Sequence, residues 1–251
     1  DKFWEKYTSY TPSAKQIHQL FGEEITNDHI AFRTLNFPGT SIEIQKEYLL
    51  QFGYQEKGQY DFKVKKLKAI HLENEDKTLP KIFLSELLLE QFSNNLQEIF
   101  QNIFREKSIA SEDLFMAGRS WKINHNEYLK LAEESEYASW LYVWGFCPNH
   151  FTVSVNHLNN FKSLEEVNNL IKGNGYRLNE SGGEIKGTPE ELLEQSSIIA
   201  DLQEVDFSGT IHHVPSCYYE FAKRYKAKDG EIYQGFIAKS ADKIFESTNR
   251  T

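Results

Sequence analysis

Little in this chain marks a compartment or a partner at first sight. It has two cysteines, Cys147 and Cys217. Two are too few for a disulfide framework, so a reduced, cytoplasmic setting is the expectation. A basic surplus is also missing. The net charge of −9 argues against nucleic-acid binding, because phosphate contact needs a basic surface. No apolar run approaches the roughly 20 residues of a membrane span. The first residues, Asp1-Lys2-Phe3-Trp4, lack the basic and apolar regions of a signal peptide. What the chain does have is aromatic side chains, 14% of all residues, which suits a packed interior and not a disordered chain. Its 251 residues can bury a large core, as one domain or as two fused modules.

A short pattern occurs twice. Near the start the chain reads Asn27-Asp28-His29-Ile30-Ala31-Phe32-Arg33-Thr34, and past the middle Pro148-Asn149-His150-Phe151-Thr152-Val153-Ser154-Val155-Asn156. Each copy is a histidine opening an alternating strand. Each is followed by a helix-like segment and a Gly-Tyr pair, Gly53-Tyr54 and Gly175-Tyr176, at offsets of 24 and 25 residues from the histidine. Two copies of one unit, each offering a histidine at the same strand position, point to a metal site between related halves.

The coarse pattern predicts an α+β fold. Residues 1–22 read as short helices, with Thr11-Pro12-Ser13 as a helix start. Residues 28–35 alternate as a strand. A helical stripe of Ile42, Ile44, Tyr48, Leu49 and Phe52 follows, stopped by Gly53. Strands at 60–64, 67–73 and 81–86 complete a βαβββ order. Residues 87–104 and 126–144 read as helices inserted between the repeats. The second copy predicts a strand at 149–156, a helix at 163–173 and strands near 175–186, 198–207 and 217–222. Thr188-Pro189-Glu190-Glu191 reads as a further capped helix start. The segment 230–248 is mixed. The expected architecture is one domain over 1–251: a first module at about 23–90, the insertion at about 91–145, and a second module at about 146–251. The two modules would share a curved, barrel-like mixed sheet.

Strand alternation decides what each histidine faces. His29, Ala31 and Arg33 share one face of the first strand. His150, Thr152, Ser154 and Asn156 share a polar face of the second, with Phe151, Val153 and Val155 opposite. A polar inner face and an apolar outer one fit a sheet curled around a cavity; a sheet with one solvated face is the ordinary alternative. Each module also ends in an apolar strand carrying one glutamate, Glu86 and Glu220. A carboxylate among aromatics is costly to bury unless paired or metal-bound. Glu220 is the stronger third ligand and Glu86 the pseudo-symmetric alternative, unless Glu86 serves the start of the following helix. Cys147 and His150 form a C-x-x-H, but alternation puts them on opposite faces, and a buried structural cysteine is expected. The same parity separates Cys217 from Glu220. His212-His213 falls in a loop, where at most one could point at a site; His157 follows the strand end as a surface or capping residue; His18, His71 and His125 have no evident partners.

Several segments together resemble the 2-oxoadipate dioxygenase/decarboxylase family: Asp28-His29-Ile30-Ala31-Phe32-Arg33-Thr34, Glu134-Ser135-Glu136-Tyr137-Ala138-Ser139-Trp140, Asn149-His150-Phe151-Thr152, Tyr219-Glu220-Phe221, and Ala241-Asp242-Lys243-Ile244-Phe245-Glu246. That family's fold is similar to the vicinal oxygen chelate superfamily, which suits the repeat. The resemblance implies a mononuclear iron(II) (Fe2+) site of His29, His150 and Glu220, with Arg33 gripping a substrate carboxylate. Independently, Arg33 lies on the face of His29, about 13 Å along by strand rise, and a planar guanidinium suits bidentate carboxylate binding. Met116-Ala117-Gly118-Arg119-Ser120-Trp121 resembles a family loop near the site, which would let Arg119 meet a distal carboxylate.

The expected function is therefore an iron(II)-dependent dioxygenase of a 2-oxo acid, most simply 2-oxoadipate in lysine catabolism. Its partners would be the small oxo acid and O2, with no nucleic acid and no membrane. Oxidative decarboxylation and hydroxylation of the shortened acid would give 2-hydroxyglutarate and carbon dioxide. The rivals are a glyoxalase-like metal-dependent isomerase or hydrolase, with Glu86 as a fourth ligand, and a non-catalytic binding protein of the same fold. The apolar insertion is expected to cover the sheet and close one end of the cavity, keeping water from the reaction.

Overall fold

The computed structural model describes residues 2–105 and 109–249. Two short helices, α1 (Lys2–Tyr10) and α2 (Pro12–Leu20), lead into β1 (Asn27–Leu35), α3 (Ile42–Leu50), β2 (Tyr54–Phe62), β3 (Leu67–Asn74) and β4 (Lys81–Leu87). The insertion carries α4 (Asn94–Phe104), α5 (His125–Glu134) and α6 (Glu136–Trp144). The second copy runs β5 (Pro148–Ser154), α7 (Leu164–Gly173), β6 (Lys186–Thr188), β7 (Leu193–Ser197), β8 (Leu202–Asp206), β9 (Ile211–Pro215) and β10 (Tyr218–Arg224). A last helix, α8 (Ala238–Ile244), follows.

Among the described residues, eight strands form one curled mixed sheet in the order β2-β3-β4-β1-β5-β10-β7-β6, while β8 and β9 pair separately. The order is symmetric about its centre. β1 pairs parallel with β4 and β5 parallel with β10, and the modules meet where β1 and β5 run antiparallel. The outer face is apolar. Phe32, Phe151 and Tyr219 pack against Phe3 and Trp4 of α1, and Phe221 against Phe21. The inner face is covered by α6 and the segment around α8. Every residue of α6 from Tyr137 to Trp144 is buried, as befits a helix apolar on all sides. It ends at Gly145, whose φ is +67°; a Cβ there would lie 2.3 Å from the Gly118 carbonyl oxygen, so only glycine lets the two segments touch.

Several expected elements shift. The strand near 175–186 begins only at Lys186; before it the chain is irregular, tied by a single bridge between Leu178 and Ile198. The helix start at Thr188 is instead the turn joining β6 to β7. Glu191 N–H bonds to the Thr188 carbonyl and hydroxyl, and Leu192 adopts φ +67°. Four residues between paired strands leave no room for a helix. Of the run expected at 198–207 only Leu202–Asp206 is strand, as β8; β7 ends before it at Ser197.

One contact anchors the N-terminal helices. Thr11, at the N-cap of α2, makes no capping bond of its own. Asp201 takes over: its carboxylate accepts from Thr11 Oγ1 at 3.1 Å, Ser13 N at 2.9 Å and Ser13 Oγ at 2.6 Å. Asp201→Ala is expected to cost about 1–3 kcal/mol of unfolding free energy in denaturant titration. An unchanged midpoint would mean that solvent serves α2 equally well.

Candidate metal centre

The inner face of the sheet gathers His29, His150 and Glu220, all buried, with one ligand-type atom from each within 4.8 Å of the others. Register explains the meeting. Ala31 lies opposite His150 across β1–β5, and Thr152 lies beside Glu220 across β5–β10. His29 Nε2 is 3.4 Å from His150 Nε2 and 3.7 Å from Glu220 Oε1, while His150 Nε2 is 3.1 Å from Glu220 Oε2. Burial alone would push the Glu220 carboxyl up, but the two histidines and Gln195 hold it below the ordinary range. Burial pushes His150 down, toward the neutral ring.

The residue before each histidine orients it. Asp28 Oδ1 lies 2.8 Å from His29 Nδ1, and Asn149 Oδ1 lies 3.0 Å from His150 Nδ1. Simple alternation would point both side chains away. The β1–β5 register, however, steps by one at each place, so that Asp28 and Asn149 are the extra residues of two bulges. Each imidazole then donates through Nδ1 and turns its Nε2 lone pair to the centre. Two lone pairs and a carboxylate facing one another at these distances repel unless a cation or a proton lies between them; the Thr152 hydroxyl also lies 3.1 Å from His29 Nε2. Apart from the facing His150 Nε2, Glu220 Oε2 has no polar partner among the described residues, as expected of a ligand atom. The donor set therefore fits a divalent metal, and two histidines with one carboxylate suit iron(II).

The surroundings are built around this centre. Gln195 Nε2 donates to Glu220 Oε1 at 2.6 Å. Arg224 grips Asp28 in a two-point pair, at 2.6 and 2.9 Å. Burial pushes the Asp28 carboxyl up, yet Arg224 and His29 more than offset this and hold it well below the usual range. Tyr218 stacks on His150, and Phe236 meets His29 edge-on. Phe83, Phe236, Ala241, Ile244 and Phe245 close over the triad, leaving a cavity of about 20 Å³, room for a single water. A larger cavity of about 670 Å³ lies on the far side of Asp28 and is lined by none of the three.

Arg33 is buried beside this cavity. Its guanidinium lies against Tyr137, Trp140 and Phe245, the last also a cavity wall. Nη1 donates to Glu136 at 2.8 Å and Nη2 to Thr248 Oγ1 at 3.0 Å, while Nε is buried without a partner. The Glu136-Tyr137…Trp140 motif of α6 is thus the holder of Arg33.

Two expectations change. Glu86 is not near the centre. It lies on the outer face, where it accepts from Ile42 N at the start of α3, and burial pushes its carboxyl up. The register counterpart of Glu220 is Phe83, opposite Ala31 as Glu220 is opposite Thr152. Arg119 does not line the cavity either; it donates to the carbonyls of Val143 and Trp121 and so ties the 118–121 loop to α6. Cys147 and Cys217 are both buried and free. The sequence reading missed Gln195, Arg224, Tyr218 and Phe236. The Asx-His repeat was the one available signal for the orienting pair.

The curled sheet has the fold seen in glyoxalase-superfamily proteins, and on it stands a triad able to hold a metal ion. A glyoxalase-superfamily structure from Ralstonia eutropha, 18% identical, overlays with a TM-score of 0.70 over 92% of this chain and 81% of its own. More particularly, the chain belongs to the 2-oxoadipate dioxygenase/decarboxylase family, whose model matches residues 5–232. It is 34% identical to the chloroplastic/amyloplastic 2-oxoadipate dioxygenase/decarboxylase of Oryza sativa, over 97% of this chain and 76% of that protein. The rice hydroxyglutarate synthase in complex with 2-oxoadipate is 33% identical, with a TM-score of 0.91, covering 99% of this chain and 90% of that one. A Shewanella frigidimarina protein provisionally named a hydrolase is 42% identical, with a TM-score of 0.89, over 94% and 95%. No helix among the described residues is long and apolar enough to cross a membrane.

Breaking the Asp28–Arg224 pair tests how far the centre depends on its supports. Arg224→Met strands a buried carboxylate and should cost about 3–5 kcal/mol, read as a lower denaturation midpoint. Asp28→Asn in the same chain should recover part of the loss. A double variant as unstable as the single one would show that the charge pairing is not the cause.

Proposed function

We propose that this protein is an iron(II)-dependent dioxygenase converting 2-oxoadipate and O2 to 2-hydroxyglutarate and carbon dioxide. The carrying observation is the convergence of two Nε2 lone pairs and the Glu220 carboxylate on the inner face. The family membership and the 2-oxoadipate complex of the rice relative support the substrate. His29, His150 and Glu220 would hold the metal, which supplies oxygen activation and leaves open positions for a chelating oxo acid. The atoms balance: carbon 1 leaves as carbon dioxide, one oxygen atom completes the new carboxylate, and the other becomes the hydroxyl. Oxidative decarboxylation supplies two of the four electrons that O2 takes and the hydroxylated C–H the other two, so no second oxo acid is needed.

The protein's own residues supply geometry and exclusion of water. Asp28 and Asn149 fix the histidine tautomers, and Gln195 steadies Glu220. Arg33 offers its unpartnered Nε–H to a substrate carboxylate; a two-point grip requires Glu136 or Thr248 to yield. A cavity fit for one water does not admit a six-carbon diacid. Substrate entry therefore requires the cover carrying Phe236, Ile244 and Phe245 to lift, and its return would shut water out. Buried free cysteines accord with a reducing compartment such as the cytoplasm. The hydrolase reading has a relative's provisional name in its favour, and a two-histidine, one-glutamate set also suits hydrolytic zinc; oxygen uptake separates the two.

Protein purified without oxygen and loaded with iron(II) should consume oxygen with 2-oxoadipate, one equivalent per carbon dioxide released. Absence of uptake across a panel of 2-oxo acids would overturn the proposal. His29→Ala, His150→Ala and Glu220→Ala should each lose iron by metal analysis while keeping the fold, and Glu86→Ala should keep it. Asp28→Asn should weaken metal binding about 10- to 100-fold. Arg33→Lys should retain iron but raise KM, since an ammonium does not reproduce the guanidinium's fixed fork of donors. Unchanged kinetics would remove Arg33 from the substrate site.

A further inference from the structure

We infer that Lys186 is the cation that receives the second carboxylate of the substrate and so selects a diacid over a monoacid. The inference rests on the reading of the site as a 2-oxo acid oxygenase. Lys186 opens β6, directly opposite Gln195 of β7, and cross-strand partners share a face. Gln195 is the residue that donates to Glu220. Lys186 therefore rises from the inner face two strands beyond the Glu220 strand, about 10 Å away by strand spacing. A substrate held at the triad by its oxo acid end must carry its other carboxylate several carbons further to arrive there.

Lys186 is 3% exposed. Its Nζ donates to two neutral acceptors, the carbonyl oxygens of Asn179 and, at 3.4 Å, Glu184. That leaves a third N–H. Among the described residues no carboxylate comes within 4.0 Å of it. Glu184, Glu246 and Glu180 act on it from further off, the first two being engaged by Lys172 and Lys243. A buried ammonium without a contacting anion is costly. Burial accordingly pushes its pKa down to about 8, with Glu220 the largest influence opposing this. The strand is held in place for this role. Gly187 has φ +83°, and a Cβ there would lie 2.1 Å from the Leu193 carbonyl oxygen. Lys81, the register partner of His29, is the rival cation, but it shares its open cavity with Asp28 and Glu73, which already answer its charge.

The test compares 2-oxoadipate with 2-oxohexanoate, which has the same length and no second charge. Dissociation constants are measured without oxygen on iron(II)-loaded protein by calorimetry. The wild-type protein should prefer the diacid, and Lys186→Met should weaken it about 10- to 100-fold, the worth of one charge-assisted bond. The monoacid should stay within about twofold, and Lys186→Arg should restore part of the preference. Equal losses on both acids, or no loss, overturn the role. Wild-type protein without diacid preference overturns it too, even if Lys186→Met does not fold. Oxygen uptake separates the two readings. Preference that depends on Lys186 with no uptake would keep the anion site and reject the oxygenase. Uptake with a preference indifferent to Lys186 would do the reverse.

Discussion

The antiparallel pairing of β1 with β5 is the constraint on which the rest depends. It is where two copies of one βαβββ unit meet, and its register brings residues 121 positions apart to within 3.4 Å. The same pairing contains both bulges. Without them Asp28 and Asn149 would face the apolar outer layer, and each imidazole would be free to choose its tautomer. With them, the residue before each histidine turns back and aims Nε2 at the centre. A one-residue slip would send both histidines to the outer face at once.

Duplication explains the scaffold, and departures from it make the site. At the position where the second module has Glu220, the first has Phe83. The carboxylate is a ligand candidate and the phenyl ring a wall of the cavity. Four positions after His29 stands Arg33; the same offset after His150 gives Ser154. A symmetric centre would offer four ligands and no directional grip. This one offers three candidate ligands on one side and an apolar wall on the other, so a bound metal would keep positions that no protein atom fills.

Much of this was legible in the sequence, for physical reasons that also mark where legibility stops. β1 and β5 alternate strongly because one face meets the aromatic layer and the other the cavity, so the histidines and Arg33 could be placed by parity alone. Glu220 stood out as a carboxylate among aromatics. Glu86 stood out in the same way, and only register shows it on the other face, capping α3. β7, Leu193–Ser197, reads as polar because its inner face carries Gln195 toward Glu220 and its outer face carries Ser196 toward Asn168. Arg224 pairs with Asp28 across 196 residues, a distance at which local pattern carries no information. The bulges break the very alternation from which strand faces are read.

Charge balance ties these pieces together. Among the described residues the inner face buries three cations, and two are already answered: Arg224 by Asp28 and Arg33 by Glu136. Each pair is neutral as it stands, so Arg33 has hydrogen bonds to offer and little net charge. Glu220 and Lys186 remain, on β10 and β6, the strands that flank β7. On the proposed reading a divalent metal at Glu220 leaves a single positive charge there, and Lys186 adds a second. A 2-oxo diacid brings two negative charges, one to each place, and the closed cavity becomes neutral. A monoacid would leave the buried ammonium with only carbonyl oxygens in contact, which is the more costly state. In this view specificity for a diacid arises chiefly from the charge that its absence would leave buried.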